Sequence, residues 1–342
     1  MAETDTRGIS VDLESPIRAS IEQAGLLRDF FLTSLLSTGN NRVYRADAPG
    51  KTLLVKHYFQ HPDDLRDRFA AEQAFYTFIR ASGIRRTPEP IAWLPGEKLG
   101  LFEFIEGEKP QTSNPDIVKE ALDFFQELNQ HRLSPEASRL PAASEACFSL
   151  REHLDRIESR IAALEKTEAS TDIGREALNF ITGQLAPKWR QWAEKAIKHA
   201  QIQTDHVLPR DKRCVSPSDF GFHNALFGND GRLRFIDFEY AGFDDPAKMV
   251  CDFFCQPAVP VDRSQLDLFI SEISEKMALP TLSDRVQLLL PVYQIKWCCI
   301  QLNEFLPSGG SRRVFSNPSE NQTERKTKQL AKAMRSLQEV QV

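Results

Sequence analysis

The side chains best able to do chemistry crowd into one stretch, SPSDFGFHNALFGNDGRLRFIDFEYAGFDDP. Asp219 and Asn224 stand five positions apart, and Asp237 follows thirteen positions later. Leu233 and Phe235 alternate in step with Asp237, so the pattern predicts a strand, RLRFID, that ends on a carboxylate carried inward from solvent. A carboxylate so placed needs a partner. Mg2+ is the natural one, because it takes hard oxygen ligands, keeps several waters and shares its remaining positions with substrate phosphates. Asn224 and Asp237 would supply two of those oxygens. Asp219, on the loop just before Asn224, would then face an acceptor hydroxyl, orient it and take its proton as the bond to a γ-phosphoryl group forms.

Several elements must position these groups. NALF and RLRFIDF flank the turn Gly228-Asn229-Asp230-Gly231, which is a strong hairpin signal. Upstream, residues 1–20 read as a flexible terminus, with an amphipathic segment from Pro16 to about Leu27. Next, LLSTGNNRVYRADAPGKTLLVKHYF reads as three strands broken by a polar turn at Ser37 to Asn41 and by a Pro-Gly turn. The stripe Leu65, Phe69, Tyr76 and Ile79 predicts a helix from about Pro62 to Ser82, and IAWL and LGLFEFI predict two further strands. Gly107 to Asn114 is a connector. Helical patterns then cover about Pro115 to Arg132, Phe148 to Leu164 and Ile173 to Ala200, with no internal repeat. The order is sheet-rich first and helix-rich second, which is an α+β, two-lobed arrangement: residues 21–106 form a small lobe and 107–342 a large helical one.

In the small lobe, the turn from Ser37 to Asn41 can offer backbone N–H groups, including that of Asn40, to phosphate oxygens, and Gly39 permits close approach. Strand alternation puts Lys56 with Leu54 and Tyr58 on the face opposite Leu53 and Val55, from which it could reach phosphates. Glu72 falls inside an apolar helical stripe. Buried unpaired it would be costly, so a cation is expected beside it, and Lys56 is the obvious candidate.

With these residues in view, the chain resembles the aminoglycoside phosphotransferase and choline kinase family, whose fold is protein-kinase-like. IDFEY is especially similar to choline kinases, and STGNNRVYR resembles a phosphate-covering loop. The resemblance spans about residues 30 to 255. It implies Asp219 as catalytic base, Asn224 and Asp237 as Mg2+ ligands, and a Lys56–Glu72 ion pair that places nucleotide phosphates. It also implies a hinge in LGLFEFIEGE, where Glu103 and Ile105 offer main-chain groups to an adenine edge. ATP or GTP with Mg2+ would be the cofactor pair, and a small molecule bearing a hydroxyl (a sugar, an amino alcohol or an aminoglycoside) the acceptor. Acidic residues beyond the metal ligand, Glu239, Asp244 and Asp245, could attract a cationic acceptor. Two departures stand out. Pro217-Ser218 replaces the usual His-Gly before the catalytic Asp, and DPAKMVC puts Met249 where relatives carry an Asp, for which Asp252 is the candidate replacement.

Composition bounds these readings. The 342 residues carry a formal charge of -5, with 41% hydrophobic and 27% charged residues, as in an ordinary globular protein. That balance argues against nucleic acid, and no run approaches the roughly 20 apolar residues of a membrane span, so a cytoplasmic protein is expected. The six cysteines suit packing as free thiols better than a disulfide frame or a zinc site at Cys251 and Cys255. Taken singly, Asp237 is an ordinary turn residue, Lys56 a solvated one and Asn224 a turn former; their joint order carries the reading. His223 lacks a second partner for a triad and reads as a structural hydrogen bond. Trp297 reads as core, and the basic tail as a solvated helix. Two rivals are a kinase-like nucleotide-binding protein without activity and a protein kinase, the latter disfavoured because no APE-like motif follows Asp237.

Overall fold

The computed structural model describes residues 14–35, 41–60, 66–200, 204–306 and 321–340. Its first part is a five-stranded antiparallel sheet in the order β1-β2-β3-β5-β4, formed by Phe31–Leu35, Arg42–Ala48, Lys51–His57, Leu99–Glu103 and Pro90–Leu94 respectively. Pro49 and Gly50 join β2 to β3. Gly50 has φ +75, the left-handed conformation that a Pro-Gly turn requires at its second central residue. Ser37, Gly39 and Asn40 lie outside the described residues.

The period of two along the strands decides what each face meets. Tyr44, Ala46, Leu53, Val55, Leu99 and Leu101 are buried with Ile17 and Ile21 of α1 (Glu14–Gln23). Residues 14–20, expected in a flexible terminus, instead belong to this packed helix. The opposite face carries Leu54, Lys56, Trp93 and Phe102 toward α2 (Arg68–Ala81), and Tyr76 of that helix lies 5.1 Å from Phe102 between ring centroids. The helix starts later than its apolar spacing suggests, because the Asp67 carboxylate caps it by accepting from Ala70 N at 3.0 Å.

A two-residue strand, β6 (Gly107–Glu108), leads into the helical part and joins β8 (Ala225–Gly228) and β9 (Leu233–Phe235) in a small sheet. Another short pair, β7 (Cys214–Ser216) with β10 (Gly242–Asp244), is antiparallel. Around these pack α3 (Pro115–Gln130), α4 (Leu150–Leu164), α7 (Pro246–Cys255), α8 (Leu266–Met277) and α9 (Leu282–Gln301). The helix expected from Ile173 to Ala200 is α5 (Asp172–Phe180) and α6 (Ala186–His199), joined by a π-helical turn over Ile181–Leu185. α9 is apolar nearly all round because neighbours cover it on several sides.

The basic tail is not simply solvated. α10 (Gln322–Gln338) buries Leu330, Ala333 and Leu337. Its Arg325 reaches the buried Glu304 at 2.7 Å, and Lys188 of α6 donates to Leu337 O. Among the described residues all six cysteines are free, and no helix is long and apolar enough to cross a membrane.

Candidate active site

The loop that carries Asp219 is anchored before it begins. Asn129 of α3 reads both main-chain groups of Val215 in β7, donating to Val215 O at 3.0 Å and accepting from Val215 N at 2.9 Å. Ser218 then takes φ +69, an uncommon conformation for a residue with a Cβ, and its N–H donates to Ser216 Oγ at 3.0 Å. Beyond Asp219, Phe220 stacks on Phe253 of α7 with centroids 5.0 Å apart, and Phe222 meets the same ring edge-on at 5.5 Å. These two rings and the Asn129 clamp hold a loop that has Pro217-Ser218 at its entry.

Asp219 keeps 39% of its side chain in solvent. Burial of the rest would raise its pKa, but a hydrogen bond with His223, the charge of that ring, the Asn224 amide and the Lys296 ammonium together hold it below the usual value. His223 Nε2 lies 3.2 Å from Oδ1. Asn224 Nδ2 donates to Asp219 O at 3.0 Å and to Oδ2 at 3.3 Å. With its nitrogen turned to Asp219, Asn224 presents Oδ1 elsewhere, as a hard ligand for a cation.

Asp237 differs from its expected place at a strand end. β9 stops at Phe235, and Asp237 lies two residues on with φ +67. Tethers on both sides hold it there: Ile236 N donates to Asn224 O at 2.9 Å, and Phe238 N donates to Glu72 Oε1 at 2.9 Å. One links the segment to the loop of Asp219, the other to helix α2. The reversed backbone brings Asp237 Oδ1 to 2.5 Å from Lys56 Nζ.

Lys56 and Glu72 meet as the patterning requires, with Lys56 Nζ 2.6 Å from Glu72 Oε2. Tyr58, on the same sheet face as Lys56, donates to the same oxygen at 2.7 Å. Burial alone would push the ammonium toward neutrality, but Asp237, Glu72 and Glu239 outweigh it and hold the pKa above the ordinary lysine value. Phe238 packs its ring against Phe75 of α2 at 4.7 Å, which seats the Asp237 segment against the small lobe.

The other sequence candidates are placed differently. Glu239 turns toward the small lobe: Asn41 donates to it, Lys56 Nζ lies 3.8 Å away and Arg68 Nε 3.5 Å away. Burial and the charge of Asp237 push its carboxyl up. Asp244 is 0% exposed, accepts from Cys147 N and Asp245 N, and pairs with Lys248 at 2.5 Å. A carboxylate so enclosed braces the fold and is not brought together with Asp219. Asp245 caps α7 and is held by His153 and Arg285. Asp252 pairs with Lys296 at 2.8 Å and also accepts from Trp297 Nε1 at 3.1 Å, so Trp297 combines packing with a polar tie. The Glu103 amide donates to Glu89 O at 2.8 Å and is no free donor for an adenine edge, whereas Ile105 lies between the end of β5 and Gly107.

Sequence reasoning missed Tyr58, whose place two residues beyond Lys56 was visible, and the Phe238 amide, which no side-chain pattern signals. Among the described residues no three His, Cys, Asp or Glu side chains gather as a metal site. An Asn–Asp pair offering only oxygens instead suits a hard cation whose other ligands come from phosphates and water.

The architecture recurs in solved structures. Choline kinase from Cryptosporidium parvum Iowa II superposes with a TM-score of 0.59 at 13% identity, over 95% of this chain and 96% of that one. A choline/ethanolamine kinase family protein from Mesorhizobium loti gives 0.55 at 17% identity, over 95% of each chain. Spectinomycin phosphotransferase, solved with ADP and spectinomycin, gives 0.58 at 13% identity over 94% of this chain and 98% of that one. No curated protein sequence matches significantly. At sequence level, the family model described as "Phosphotransferase enzyme family" matches residues 32–260, a span that contains Lys56, Glu72, Asp219, Asn224 and Asp237, and the chain belongs to that family.

Proposed function

We propose that the protein transfers the γ-phosphoryl group of ATP or GTP to a hydroxyl group of a small molecule, with Mg2+ as the counter-ion. The observation that carries the proposal is the Lys56 ammonium held between Glu72 and Asp237, while the residue before Asp237 is tied to Asn224. These ties support a reading in which Lys56 meets phosphate, Asn224 and Asp237 offer oxygens to a metal, and Asp219, hydrogen-bonded to Asn224, is the carboxylate base. Phosphoryl transfer is catalysed chiefly by positioning and charge stabilisation, so such a set is sufficient in kind.

Asn224 Oδ1 and Asp237 would hold the metal, which when bound neutralises charge on the phosphates. Lys56 aligns the phosphates, Glu72 and Tyr58 fix Lys56, and Asp219 orients the acceptor hydroxyl and receives its proton. Asp219, its pKa held below the usual value, is ionised near neutral pH and can accept the hydrogen bond of an acceptor hydroxyl. ADP in the spectinomycin phosphotransferase structure supports nucleotide use at this fold.

For the acceptor, the candidates are a sugar, an amino alcohol or an aminoglycoside. Glu239, Asp244 and Asp245 are matched by Lys56 with Arg68, by Lys248 and by Arg285, which removes the argument that these acids select a cationic acceptor. A coupled assay of nucleotide consumption against these three classes tests the proposal, run beside Asp219→Asn and Asp237→Ala. Mg2+-dependent ATP or GTP binding with phosphorylated product supports it, with product lost in both variants and nucleotide binding weakened only in Asp237→Ala. Nucleotide binding with no product from any acceptor favours a kinase-like binding protein.

A further inference from the structure

Between Asp219 and Asn224 the sequence runs Phe220-Gly221-Phe222-His223, and the two phenylalanines are buried anchors. Gly221 has φ 171, extended backbone that any residue adopts, so conformation does not call for glycine there. Space does. A Cβ at position 221 would lie 2.8 Å from both Cε1 and Nδ1 of His223, and 3.3 Å from Gln256 Cγ. The His223 ring therefore occupies the volume that a side chain at 221 would fill.

We propose that His223 is the positioning residue of Asp219, and that Gly221 is present to let its ring reach that carboxylate. The inference rests on the phosphotransferase reading of Asp219 given above. Nε2 lies 3.2 Å from Asp219 Oδ1. An ionised carboxylate only accepts hydrogen bonds, so Nε2 carries the hydrogen and donates. Nδ1 is buried and has no partner among the described residues. The ring is thus held at one edge by the carboxylate alone, while its other edge faces the backbone of Gly221. Asn224 restrains Asp219 through its main-chain oxygen and Oδ2, and His223 restrains Oδ1. The two together fix the rotation of the carboxylate, the freedom that a general base must lose before it can meet a hydroxyl in a productive line.

The test uses the full-length protein, with Mg2+-ATP and water as the acceptor until a better one is found. His223→Ala is expected to lower kcat by about 10- to 100-fold, the scale of a misplaced reacting group, with KM for ATP unchanged. Gly221→Ala should do the same by displacing the ring, and His223→Gln, which keeps a donor at similar reach, should restore most of the rate. The decisive result is non-additivity: Gly221→Ala should have little further effect in the His223→Ala background. Multiplying losses, or a His223→Ala kcat within twofold of wild type, would overturn the proposal. A second readout needs no turnover. At one fixed pH, the 15N–1H spectrum of the His223 imidazole should show a hydrogen on Nε2 and should change in Asp219→Ala, and a ring whose only hydrogen sits on Nδ1 would overturn the proposal even if no acceptor were known. Failure of wild type to bind Mg2+-ATP would instead count against the phosphotransferase reading.

Discussion

Lys56 Nζ sits 2.6 Å from Glu72 Oε2 and 2.5 Å from Asp237 Oδ1, so a single ammonium joins strand β3, helix α2 and the segment after β9. Glu72 is 1% exposed and depends on that charge. Among the described residues, Lys56→Met leaves the carboxylate with the Tyr58 hydroxyl and the Phe238 amide. Removing one partner of a buried pair typically costs about 3–5 kcal/mol, and urea unfolding should show a loss of that order. Lys56→Met with Glu72→Leu should recover much of the stability and none of the phosphoryl transfer. If the double variant were as unstable as the single one, the pair would not be the source of the loss.

Asp219 and Asp237 should separate in their effects. Under the proposed function, Asp237→Ala removes a metal oxygen together with a Lys56 partner, so Mg2+-dependent nucleotide binding should weaken, as read by titration calorimetry. Asp219→Asn keeps the size of the side chain and removes its basicity, so binding should persist while turnover falls by about 100-fold or more, from the lower end of the general-base range upward. Equal turnover in Asp219→Asn and wild type would exclude Asp219 as the base.

The parts of the site that were legible in the sequence are those that periodicity controls. Alternation along TLLVKHY put Lys56 on the α2 face, and the apolar stripe around Glu72 demanded a cation, and the two meet. The spacing of Asp219, Asn224 and Asp237 was equally visible. The conformation of Asp237 was not, because a single residue with φ +67 leaves no periodic trace and its tethers come from main-chain amides. Strands β7 and β10, three residues each, are too short to alternate recognisably. The reading of Asp244 as an acceptor residue passed over its i,i+4 partner Lys248, which local spacing signals, and could not foresee the Cys147 amide, which a distant segment brings to it. The tail read as solvated because its charges outnumber the three apolar positions that dock it.

Asp244 gives a direct contrast between a bracing role and acceptor binding. Asp244→Ala leaves Lys248, itself 2% exposed, with Asp252 at 3.3 Å as its remaining ion-pair partner. The expected outcome is a loss of about 3–5 kcal/mol in unfolding free energy, with KM for nucleotide and acceptor unchanged at a temperature where the variant is folded. A raised acceptor KM without loss of stability would return Asp244 to the acceptor site.

His153 should make stability depend on pH on the alkaline side. It is 1% exposed on α4, with Nε2 3.2 Å from Asp245 Oδ2 and Nδ1 2.7 Å from the Tyr293 hydroxyl. Arg285 of α9 shares Asp245, and Cys147 also faces the ring. Burial alone would lower the pKa of the imidazole, but hydrogen bonds and the Asp245 charge raise it to about 9. An unfolded histidine titrates near 6.5. The folded state therefore binds the proton more tightly, and this contribution is fully present below about pH 6.5 and lost as pH rises through about 9. The shift corresponds to about 3 kcal/mol as an upper bound, since neighbouring groups titrate together. Urea unfolding measured from pH 6 to pH 10 should show wild type losing stability across this window. His153→Gln should be less stable at pH 6 and flatter above it. A variant that keeps the wild-type slope would show that another group carries the dependence.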